Sequence, residues 1–151
     1  MEDMKNHTDP DIGSQKLKSI PIFDYLALDE ALKTRTASVS EVSSSGSVRN
    51  LKFLNDGDKP VFLLDGEELV GAKQNRILNL SILAPEHAEI IIPVSCVEQG
   101  RWSNSSEKFR SSDEALFSKG RARNAGMVSC SLAEGMPAMS DQHEVWRHVA
   151  Q

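Results

Sequence analysis

The chain has 151 residues, of which 39% are hydrophobic and 26% charged. That composition suits one domain with a core and excludes wholesale disorder. A net charge of -5 excludes a broad nucleic-acid surface, which needs a basic face, but still allows a local pair of cations on a small anion.

In chain order, residues 1–16 read as a polar, flexible tail without the apolar run of a signal peptide. Residues 17–151 read as a single β-rich domain. Asp24–Leu32 has helical spacing, with Tyr25, Leu28 and Leu32 on one face and Asp24 as cap. Arg35–Val42 alternates as a strand, Ser43–Gly46 is a turn, and Val48, Leu51, Phe53 and Leu54 mark a second strand. The strong turn Asn55–Pro60 leads to a short apolar strand, Val61–Leu64. Arg76–Leu83 alternates again, and Glu89–Val94 is a buried strand. It ends the longest apolar run, Ile90–Val94, which contains Pro93 and is too short to cross a bilayer.

Ser111 followed by Glu114 is a capping-box pattern. It predicts a helix through Leu116, Phe117, Ala122, Ala125 and Val128, with Gly120 and Gly126 as the points where it can break. Ser140 is expected to cap a last helix carrying Val145, Trp146 and Val149. The predicted class is α+β: a mainly antiparallel sandwich or barrel-like sheet with one or two C-terminal helices.

Cys96 and Cys130 form no C-x-x-C pair and have no His at ligand spacing. They read as reduced thiols of a cytoplasmic protein. No metal site is expected: His7, His87, His143 and His148 are dispersed, and Asp141, His143 and Glu144 read as a solvated helix face. No cofactor is indicated, and no Walker loop or G-x-G-x-x-G is present.

Two segments exceed what strand-and-turn chemistry needs. In Asp65–Arg76, Glu67 and Glu68 precede Gly71 and the donor run Lys73, Gln74, Asn75 and Arg76. A loop with both acids and donors can hold an anionic or polyhydroxyl ligand; the plain alternative is a charged, exposed hairpin. In Ser95–Trp102, Cys96, Glu98, Gln99, Arg101 and Trp102 follow a buried strand. Arg101 suits phosphate or carboxylate, and Trp102 suits a base or sugar. The alternative is a buried Cys96, a Glu98–Arg101 pair and Trp102 in the core. Cys96 and Arg101 also have the C-x-x-x-x-R spacing of a rhodanese loop, but that loop needs a following helix, and Ser103–Glu107 reads as irregular.

The run LLDGEELVGAKQNRILNLSIL, followed by IPVSCVEQGRW, resembles the ADP-ribosylglycohydrolase and rhodanese-phosphatase-superfamily-associated protein domain family. The resemblance takes in DYLALDEAL, SVRNLKFLNDGDKPV, KFRSSDEALFSKGRARNAGMVSCSL and DQHEVW, so it runs from Asp24 to Trp146. It implies association with enzymes that remove ADP-ribose and turns the ligand expectation toward ADP-ribose-like or phosphorylated nucleotides. It carries over no catalytic residue. It also implies strand-like sequence beyond Trp146, so this chain is expected to be a shortened member that can associate through an exposed sheet edge.

Three functions follow as expectations. The first is binding or processing of an ADP-ribose-like or nucleotide ligand, with Lys73, Arg76 and Arg101 on phosphates, Gln74, Asn75 and Gln99 as further contacts, and Trp102 stacking. Glu67, Glu68 or Glu98 would contact ribose or act as general base. The second is a non-enzymatic interaction module. The third is rhodanese-like thiol chemistry at Cys96.

Overall fold

The computed structural model describes residues 24–98, 100, 102, 105–115 and 118–149, without the side chains of 113–115, 118–119 and 148–149. The expected tail, Leu116 and Phe117 lie outside the described residues. The elements are β1 (Leu26–Ala27), α1 (Leu28–Lys33), β2 (Ala37–Glu41), β3 (Asn50–Asn55), β4 (Val61–Leu63), β5 (Glu67–Gly71), β6 (Arg76–Leu78), β7 (Ile82–Ala84), β8 (Ala88–Cys96), β9 (Phe109–Ala115), α2 (Ser118–Ala133) and α3 (Gln142–Val149).

The class is α+β. Six antiparallel strands run in the order β2-β3-β8-β6-β5-β9. The two outer strands approach each other through an isolated bridge, Ser40 to Lys108, so the sheet is nearly a closed barrel. A small sheet, β1-β4-β7, stands beside it. Its outer strands are β1 and β7.

Alternation decides what enters the barrel. Ala37 and Val39 from β2, Leu51 and Phe53 from β3, Ile92 and Val94 from β8, Leu78 from β6 and Leu69 from β5 form one buried cluster. Leu28 and Ala31 of α1 close it, because α1 packs against β2, β9 and β4. On the outside, Ile77 and Val97 bury against Val145 of α3.

Four sequence-based boundaries change. The first helix is shorter than expected, because Leu26 and Ala27 pair in parallel with Val61 and Phe62. Asp24 does not cap it but pairs with Lys59 at 2.8 Å. The strand expected over Arg76–Leu83 is two strands in different sheets. Asn79 N donates to Pro93 O (3.0 Å), and Ser81 Oγ donates to Asp65 Oδ1 (2.8 Å), so the chain leaves one ladder for the other.

Ser111 is not a helix cap. It lies in β9 opposite Leu69, with Phe109 opposite Gly71. Pairing with β5 gives β9 a ladder of backbone hydrogen bonds, which outweighs a local capping signal. The helix begins at Ser118 and runs unbroken past both glycines. The last helix is capped by Asp141, whose Oδ1 accepts from His143 N (2.9 Å) and Glu144 N (3.4 Å); Ser140 does not cap it.

Candidate functional site

The later part of the segment 65–76, from Gly71 on, meets the described part of 95–102 at one end of the barrel. Arg76 pairs with Cys96 and Ile77 with Ser95 across β6 and β8. Asn75 N donates to Glu98 Oε2 (2.9 Å), Gln74 Nε2 to Glu98 O (3.2 Å), and Val97 N to Asn75 O (3.1 Å). Asn75 Oδ1 accepts from Gly71 N at 3.1 Å. Glu98 and Asn75 thus fix the loop's shape. Gly71 is required there: its φ is +136°, and a Cβ would come within 2.6 Å of Ser106 Oγ and 2.8 Å of Lys108 O.

Arg76 shares a strand face with Leu78, so it points into the barrel, and its exposure is 0%. The guanidinium donates to Gln74 O (2.7 Å) and Ser47 O (3.2 Å) and lies 3.8 Å from Glu41 Oε1. Lys73 N approaches the same carboxylate (3.3 Å), while Lys73 Nζ donates to Ser45 O (3.0 Å). The two cations therefore grip the 42–48 loop by its carbonyls. The Trp102 ring sits between them, 5.3 Å from Lys73 Nζ and 5.6 Å from Arg76 Cζ, at cation–π range. Gly46 (φ +76°) fits against this group, where a Cβ would meet Lys73, Glu41 and Trp102 at 3.0–3.2 Å.

Beside this mouth is a cavity of about 220 Å³ lined by Ser40, Ser43, Ser44 and Ser106 with Glu41, Lys73 and Glu107. The Glu41 side chain is 10% exposed. Its Oε2 is buried and has no hydrogen-bond partner among the described residues. A buried carboxylate oxygen without a donor costs free energy, on the order of 1–3 kcal/mol.

The expected site residues fall into three groups. Lys73, Gln74, Asn75, Arg76, Glu98 and Trp102 gather at the mouth. Trp102 is 43% exposed and not a core residue. Glu67 stands at the other end of β5, where its Oε2 accepts from Leu64 N (2.8 Å). Burial raises the Glu67 pKa, opposed by that N–H. Glu68 lies opposite Ile77, so it faces outward. Gln99 and Arg101 lie outside the described residues. Sequence reading missed Glu41 and the serines of 40–47, because an isolated acid before a serine-rich turn carries no pattern.

Cys96 and Cys130 are free thiols. Cys96 is no loop nucleophile: it ends β8 at 1% exposure and gives its S–H to Glu98 O at 2.9 Å. Its own N–H is taken by Gln142 Oε1 (2.9 Å). The rhodanese-like reading therefore lacks an accessible sulfur. Among the described residues no three His, Cys, Asp or Glu side chains gather to hold a metal ion. No described helix is long and apolar enough to cross a membrane.

A nearly closed antiparallel barrel with a polar mouth on its β5–β6 hairpin is the class this architecture defines. A model of the ARPP-1 family, the ARG and Rhodanese-Phosphatase-superfamily-associated Protein domain, matches residues 11–151, and the chain belongs to that family. No curated protein and no solved structure matches it.

Proposed function

We propose that the barrel mouth binds a ribose-bearing small molecule of the ADP-ribose or nucleotide class. The observation that carries this reading is Glu41 Oε2, a buried acceptor with no donor, in a cavity lined by four serines. A ribose hydroxyl is the complementary donor. The exposed face of Trp102 takes a base by stacking, and Lys73 takes a phosphate by exchanging Ser45 O for it. Arg76 is enclosed, so it positions Glu41 and does not touch the ligand. Arg101 and Gln99 serve as further phosphate and hydroxyl contacts; Glu98 holds the loop through Asn75 N, and Glu67 and Glu68 lie away from the mouth. The family's association with ADP-ribose enzymes, by its name, points the same way.

Isothermal titration with ADP-ribose, AMP and ribose 5-phosphate tests the reading. Lys73→Gln should weaken ADP-ribose roughly 10- to 100-fold, the loss of a charge-assisted hydrogen bond. Trp102→Leu should weaken the two base-bearing ligands and spare ribose 5-phosphate. Absence of binding by all three ligands would overturn the proposal in favour of an interaction module.

A further inference from the structure

A cavity of about 680 Å³ lies away from the mouth, between the outer face of β8 and the segment joining α2 to α3. That volume is in the range of small-molecule sites. We propose that this cleft is a second site, for a free α-amino acid with a large apolar side chain.

The floor of the cleft is a directed hydrogen-bond relay. Asn79 and Ser95 are 2% and 3% exposed. Asn79 Nδ2 donates to Ala138 O (3.3 Å), which orients the amide and leaves Oδ1 as an acceptor. Ser95 Oγ donates to that oxygen at 2.9 Å. Ser95 has then used its one hydrogen, so the 2.6 Å contact between Ser95 Oγ and Ser140 Oγ needs Ser140 as donor. Ser140 is left with lone pairs and no proton for the cleft. It can accept from a ligand.

The rim supplies opposite charges that do not neutralise each other. Among the described residues Arg49 meets no carboxylate; it rests Nη1 on Met139 Sδ at 3.2 Å, a weak acceptor. Asp141 spends Oδ1 on the start of α3, and no described cation pairs with it. Both line the same cleft. A guanidinium for a carboxylate, with Asp141 and Ser140 for an ammonium, matches the two ends of an amino-acid zwitterion. Val48 and Met139 form an apolar wall for its side chain.

The test is titration calorimetry on the full chain with L-phenylalanine, L-phenylalaninamide (no carboxylate) and 3-phenylpropionate (no ammonium). Phenylalanine should bind saturably, and each analogue should bind at least about tenfold more weakly. Arg49→Gln should reduce phenylalanine to the level of the amide and leave the amide unchanged. Asp141→Asn keeps a good helix cap; it should weaken phenylalanine and the amide but not 3-phenylpropionate. Lys73→Gln should change none of these, which separates this site from the mouth. No saturable heat at millimolar phenylalanine, equal binding of all three compounds, or indifference to both rim variants would overturn the proposal.

Discussion

The barrel mouth and the outer cleft both draw on neighbouring residues of β8, yet they handle polarity in opposite ways. β6 sends Arg76 inward and Ile77 outward, and β8 sends Cys96 inward and Ser95 outward. At the mouth a full charge is enclosed and answered by Glu41 and backbone carbonyls. In the cleft the buried groups are neutral amides and hydroxyls, and the charges stay on the rim. Enclosed charge costs several kcal/mol per ion unless paired, whereas a satisfied neutral relay costs little. The mouth is therefore the place where a single substitution strands a charge.

The strongest way to break the contrast is Arg76→Met. It leaves Glu41 buried without its cation and should cost about 3–5 kcal/mol in urea unfolding. The double variant Arg76→Met/Glu41→Leu should recover most of that loss, whereas a double variant no more stable than the single one would place the cost in packing. In the cleft, Asn79→Leu should cost about 2 kcal/mol, because Ser95 and Asn124 lose their shared acceptor. An unfolding midpoint lower for Asn79→Leu than for Arg76→Met would reverse the comparison.

Gly46→Ala sharpens the account of the mouth. The positive φ and the 3.0–3.2 Å approaches to Lys73, Glu41 and Trp102 predict a loss of roughly 1–2 kcal/mol, together with a change in tryptophan fluorescence. Thiol chemistry separates inside from outside: Cys130, exposed on α2, should react with a thiol reagent at pH 7 well before Cys96.

The smallest effect belongs to Glu67. Its folded pKa is raised by burial, so the folded state holds more protons than the unfolded chain between the ordinary glutamate value and the raised one. Its contribution to stability therefore falls as pH rises through that window. Glu67→Gln, which can still accept from Leu64 N, should remove this slope and add about 0.5 kcal/mol at neutral pH, a small gain because half the side chain meets water. A steeper slope in the variant would contradict the assignment.

Much of this architecture was legible in the sequence, and the losses have physical causes. The strands around Val39, Phe53, Val61 and Ile92 show in the chain because alternation and turn chemistry are local. The juxtaposition of 65–76 with 95–102 followed from both flanking short buried strands. The split between β6 and β7 did not show, because the alternation of Ile77 to Leu83 continues across a change of sheet. β9 was hidden beneath a capping-box pattern, since its pairing partner lies some forty residues away in β5. Arg76 looked like a ligand contact; that it is enclosed depends on Glu41 and Ser47, which nothing in the sequence ties to it.

Gln142 of α3 accepts from the Cys96 N–H and returns a hydrogen bond to the Cys96 carbonyl. A side-chain amide thereby takes the place that a neighbouring strand's peptide group would fill. The Cys96 amide is shielded from water only while α3 is docked, so its hydrogen-exchange rate measures how often the last helix lifts from the barrel. That single proton clocks the opening of the cleft's wall, at the residue next to Ser95 on its floor.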